Sequence, residues 1–131
     1  MRFLVHGAIH PDAQAAMQRH GHHCHSILEL SAETDAPETL SEDPAALVKV
    51  LEKKQWYLLT TDGDFITRLY EAHVNYGGLI VQILDDPDVL RDQGPAVDRL
   101  FERYPRLTPR RLYTVTASRV KIRQLPGAGQ V

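Results

Sequence analysis

Cysteine is nearly absent from this chain. Cys24 stands alone, which excludes an internal disulfide and any metal site built only from cysteine. A single thiol in a strand-like segment reads as a small core residue, and no redox role is assigned to it. Long hydrophobic runs are missing as well. No apolar stretch approaches the length of a membrane span, and the opening residues MRFLVHGAIH turn polar too soon for a secretory signal. The expectation is a cytoplasmic protein with no membrane partner. Nor does the chain hold a phosphate-binding glycine loop, a nucleophile elbow, a heptad seam or an internal repeat.

What is present suits one ordinary domain: 131 residues, 43% hydrophobic and 24% charged, enough to bury a core without covalent staples. The net charge of −2 conceals an uneven distribution. Residues 1–98 hold 7 Lys+Arg against 16 Asp+Glu, whereas residues 99–131 hold 8 against 1. The basic part either neutralises phosphates, pairs with the acidic part, or decorates a solvated strand face. Arg110 and Arg111, where the chain enters its last strands, are the candidate nucleic-acid contacts.

The rest of the chain is organised around WYLLTTDGDF, residues 56–65. Trp56 to Leu59 form an apolar run too short for a helix, which predicts a strand buried on both faces. Asp62 and Asp64 fall just past its carboxyl end. In open α/β sheets ligands bind outside the carboxyl ends of the strands, so carboxylates there are placed to hold a cation. Asp-Gly is equally turn chemistry, and either aspartate can simply cap the helix that Phe65 begins.

Before this strand, FLV opens a first strand with His6-Gly7 at its end, and Pro11 starts a helix that Gly21 stops. His22–Leu30 contains the second strand. Residues Ser31–Glu42 are acidic and proline-containing, which predicts a loop. Asp43-Pro44 is an N-cap followed by proline at the first helical position. After residue 65 come a helix to about Ala72, a fourth strand over Leu79–Leu84, and a helix headed by Asp85, Asp86 and Asp88 in which Gly94-Pro95 is a candidate kink. A closing β-hairpin over Arg111–Gln124 follows. The order predicts an α/β fold: a three-layer αβα sandwich with a mainly parallel central sheet, one domain over residues 1–124 and a disordered tail over 125–131.

His20, His22, His23 and His25 suggest zinc or nickel by density, but a helix end followed by a strand sends successive histidines to different faces. A solvated helix terminus explains them equally well.

The FLV opening, Gly21-His22, Asp43 before the central strand, TTDGDF, the Gly-Gly-LIVQI strand and the closing RVKIRQLP together resemble the PIN-like domain family, in its compact bacterial group, over nearly the whole chain. The resemblance implies a Mg²⁺- or Mn²⁺-dependent endoribonuclease, related to toxin nucleases that pair with an antitoxin protein. Asp62 and Asp64 match the central acidic pair, and Asp43 matches the helix-leading acid to within about one residue. At the end of the first strand the family usually has aspartate, and this chain has His6. That residue is a hydrogen-bonded core histidine, a substitute metal ligand or a general base. The alternative implied function is a degenerate module that binds RNA or a protein partner, and a homodimer is compatible with either.

Overall fold

A strand that is apolar on both faces needs helices on both sides, and the computed structural model, which describes residues 1–30, 37–84, 93–116 and 118–126, has that form. The chain runs β1 (Arg2–His6), α1 (Pro11–Arg19), β2 (His23–His25), a 3₁₀ turn (Ile27–Leu30), α2 (Pro37–Leu40), α3 (Pro44–Lys54), β3 (Tyr57–Thr60), α4 (Gly63–Glu71), β4 (Ile80–Ile83), α5 (Gln93–Arg103), β5 (Arg111–Val115) and β6 (Val120–Gln124). The sheet order is β2-β1-β3-β4-β5-β6. The first five strands are parallel and β6 returns antiparallel beside β5.

Alternation along each strand divides the core in two. Leu4, Leu58, Ile80 and Leu112 point to one face, where they meet Leu47 and Leu51 of α3 and Phe65 and Leu69 of α4. Phe3, Leu59, Val81 and Tyr113 point to the other, against Ala13 and Met17 of α1 and Val97 and Leu100 of α5. The three-layer α/β architecture therefore follows from the strand sequences themselves.

Helix ends form where the local chemistry predicts them. The ring Nδ1 of His10 accepts from Asp12 N–H ahead of Pro11, and Gly21, at φ 84°, takes the left-handed position after α1. Two elements differ from the sequence expectation. The second strand is confined to His23–His25 and gives way to the 3₁₀ turn, and of the predicted acidic loop residues 31–36 lie outside the described residues while Pro37–Leu40 form α2. Pro95 lies in the first turn of α5, where a missing N–H costs no helical bond, so no kink is required there. The acidic head proposed for α5 at residues 85–88 lies outside the described residues. Leu125, assigned to the tail, is buried and its N–H donates to the Arg110 carbonyl at 3.0 Å, so the folded part includes it. The remainder of that tail, residues 127–131, lies outside the described residues.

Candidate functional site

Strand β1 sits between β2 and β3, so the chain leaves it toward one side and later builds outward on the other. The carboxyl ends of β1 and β3 therefore flank the switch point of the sheet, the place where such folds open a crevice. His6 and Thr60 are register partners there.

Their side chains are joined. His6 Nδ1 lies 2.8 Å from Thr60 Oγ1, and His6 Nε2 lies 2.8 Å from the Ser41 carbonyl. A carbonyl only accepts, so Nε2 carries a proton. Thr60 Oγ1 also accepts from Asp62 N–H at 2.9 Å, so the same hydroxyl holds both the ring and the Asp62 backbone. Both ring nitrogens are thereby satisfied within the fold. It is only 5% exposed and packs against Phe65 at a centroid distance of 4.6 Å.

The next residue extends the same stitching. Thr61 Oγ1 accepts from Ala8 N–H at 2.8 Å, and a Cβ at Gly7 would come within 2.6 Å of that oxygen. Gly7 also stands at φ 80°, so both space and backbone require glycine. From the far side, the buried Gln93 accepts from His10 N–H at 2.6 Å and donates to the Ala8 carbonyl at 3.1 Å. The sequence alone does not mark Ser41, Thr60, Thr61 or Gln93 as members of this network. The threonines lie inside the TTDGDF stretch, but nothing local marks Ser41 or Gln93 as a partner of β1.

The predicted acids take helix-end positions. Asp62 Oδ1 accepts from Phe65 N–H at 3.0 Å and caps α4, and Asp43 Oδ1 accepts from Ala46 N–H at 3.1 Å and caps α3. Asp64 is exposed in the first turn of α4. Arg68 of α4 reaches the Glu42 carbonyl, holding α4 to the segment that supplies the Ser41 carbonyl. Among the described residues no three His, Cys, Asp or Glu side chains come together as a metal-holding group. Asp43 and Asp62 each give Oδ1 to a cap and His6 is bonded on both nitrogens, so among the described residues these side chains, as placed, do not gather a donor set that fits the Mg²⁺ or Mn²⁺ the resemblance implies.

Compared with family models, curated proteins and solved structures, the chain matches none.

The remaining candidates lie elsewhere. Arg110 and Arg111 stand where β5 begins, and Arg110 N–H donates to the Gly78 carbonyl at 2.6 Å, just ahead of β4. In a parallel sheet the strand starts share one end, so these arginines are at the opposite end from His6 and Asp62. At that amino end an open cavity of about 670 Å³ is lined by Arg2, Glu52, Trp56, Tyr57 and Tyr76, among others.

The histidine cluster disperses. His20 Nε2 meets Asp98 Oδ1 at 2.9 Å, beside the Arg19 pair with the same carboxylate. His22 slots between Phe3 and Phe101, at centroid distances of 5.8 and 4.4 Å. Burial, reinforced by the chain's amino terminus and the neighbouring His20 and His23, lowers the His22 pKa to about 4. His25 stacks on Trp56 at 4.1 Å and contacts Glu29 and Arg2. No three of these rings gather as a metal-holding group: His20 ends α1, His22 packs on Phe3, and only His23 and His25, two apart in β2, share a face.

Proposed function

We propose that this chain is a PIN-like module that works by binding a protein partner, its nuclease chemistry having been lost at the end of the first strand. The observation that carries this reading is His6, which stands where the resemblance expects a carboxylate and spends both ring nitrogens on Thr60 and Ser41. A residue held in this way serves the fold. A protein partner is favoured over RNA because Arg110 and Arg111 lie at the far end of the sheet from His6 and Asp62, where they cannot neutralise a phosphate held at the carboxyl ends of β1 and β3.

The second reading is the metal-dependent endoribonuclease itself, a toxin component using Asp43, Asp62 and Asp64 with Mg²⁺ or Mn²⁺. Asp62 and Asp64 at the end of β3 favour it, since that is where a parallel sheet presents its ligands. One assay separates the two. The chain is incubated with mixed RNA and either cation, alongside Asp62→Asn. No cleavage above background is expected for either protein. Cation-dependent cleavage that disappears in Asp62→Asn would overturn the binding-module reading in favour of the enzyme.

A further inference from the structure

Strand β6 is an edge of the sheet whose exposed charge has one sign. Among the described residues it pairs with β5 alone, Arg111 opposite Gln124 and Val115 opposite Val120. The bonds at its ends establish which groups it turns outward. Thr116 N–H donates to the Arg119 carbonyl at 2.9 Å, and Leu125 N–H to the Arg110 carbonyl at 3.0 Å. Hydrogen-bonded pairs alternate along an antiparallel ladder, so Lys121 and Arg123 exchange bonds with Thr114 and Leu112. The N–H and C=O groups of Val120, Ile122 and Gln124 therefore point away from β5. Gln124 already uses its carbonyl for the Tyr70 hydroxyl at 2.7 Å, whereas Val120 and Ile122 have no neighbouring strand among the described residues.

The side chains alternate as well. Lys121 and Arg123 project on the Leu112 face, and the Arg123 guanidinium lies 3.7 Å over the Tyr70 ring. Val120 and Ile122 project on the Tyr113 face, where Ile122 is 38% exposed. One strand edge thus offers backbone donors and acceptors, two cations on one face and an apolar strip on the other.

We propose that β6 is a docking edge for an extended segment of a partner protein that carries acidic residues on one face and apolar residues on the other, added to the sheet as a further strand. Charge complementarity selects this occupant. A second copy pairing β6 with β6 would set lysine and arginine side chains against one another on the same face, which is destabilising. The cations therefore do for self-pairing what edge charges commonly do, while leaving the edge open to an acidic strand. A nucleic-acid backbone fits less well, because its phosphates accept hydrogen bonds but cannot donate to the outward Val120 and Ile122 carbonyls. The inference rests on the edge alone and does not depend on whether the β1–β3 crevice is catalytic.

The test uses the full chain and a synthetic peptide of about seven residues alternating glutamate and valine, followed by amide NMR. Saturable shifts at the Val120 and Ile122 amides are expected, with slowed hydrogen exchange there. Proline is tolerated at an edge position whose N–H faces solvent, so Ile122→Pro should weaken binding at least about tenfold with an unchanged circular dichroism spectrum. Lys121→Glu with Arg123→Glu should reverse the preference toward a lysine-valine peptide. This pair alters no backbone bond and so decides the matter even where the proline variant fails to fold. The proposal is overturned by the absence of β6 shifts at about 1 mM peptide, or by shifts centred elsewhere. An RNA oligonucleotide that displaces the peptide from β6 would reassign the edge to phosphates. Concentration-dependent broadening of β6 signals without peptide would reassign it to a second copy. Either result refutes it.

Discussion

Replacing His6 with alanine removes a buried ring, two hydrogen bonds and an aromatic contact in one step. The ring is 5% exposed, so its loss leaves a cavity beside Phe65. Truncating a large buried side chain to alanine costs about 3 kcal/mol at the lower end of the aromatic range, which suits an imidazole smaller than phenyl. Thr60 Oγ1 keeps its bond from Asp62 N–H, but the Ser41 carbonyl loses its donor, which adds about 1 kcal/mol. The expected destabilisation is about 4 kcal/mol, or roughly 12 °C in Tm for a domain of this size. His6→Gln, whose amide N–H₂ reaches the Nε2 position, should recover about half by restoring the bond to Ser41. His6→Asp should be worse than alanine at neutral pH, because it sets a carboxylate against a carbonyl. Burial raises the folded pKa of that carboxylate, so its penalty is absent below the unfolded value of about 3.9 and grows as pH rises beyond it. Urea denaturation followed by circular dichroism and by the single Trp56 measures all three. If His6→Ala costs less than about 1 kcal/mol, the ring is not locked and the position is open to a ligand after all.

Three further perturbations read neighbouring parts of the fold. Asp62→Ala and Asp43→Ala should each cost about 1 kcal/mol in urea denaturation while Asp62→Asn stays near wild type, and equal losses for alanine and asparagine would argue for a role in charge rather than capping. Gly7→Ala should destabilise by about 2–3 kcal/mol, since φ 80° and the contact with Thr61 Oγ1 both oppose a Cβ, and a neutral result in thermal unfolding would show that the β1 exit can shift. For His22 the unfolded chain takes up its proton first as pH falls from 6.5, while the folded pKa is about 4, so stability declines across that window. His22→Phe should fill the slot between Phe3 and Phe101 and reduce the decline by about 1 kcal/mol after allowance for solvent screening, and identical pH profiles would refute the assignment.

The parts of the fold legible in the sequence were those written in short-range pattern. The run Trp56–Leu59 announced a two-faced strand because both layers of the core draw on it, and Asp43-Pro44 announced a helix start because capping is a contact between near neighbours. The HHCHS segment carries neither period clearly, and the second strand proved shorter than expected. Within the predicted acidic loop, Pro37 at the start of α2 was the only helix signal, and a single proline marks turns equally well. His6 could be seen as a departure from a resemblance, but its partner Ser41 is 35 residues away and no periodicity encodes that bond. Arg110 and Arg111 stand out in the sequence by charge alone. Their location was nonetheless deducible, because parallel strands all begin at one end and Arg110 and Arg111 stand at a beginning.

The bonds around the carboxyl end of β1 also set an order of assembly. Ala8 is tied to Thr61 across 53 residues and to Gln93 across 85, whereas Thr116 and Arg119 close their turn across three. Closing a long loop costs more chain entropy than closing a short one, and contacts between distant segments form only after the intervening chain has been organised. The β5–β6 hairpin can therefore gather early, while the crevice at the switch point must wait for β1, β3 and α5 together. In refolding, the Ala8 and Thr61 amides would be the last to gain protection, and the crevice would be the first region to lose its shape when the chain begins to unfold.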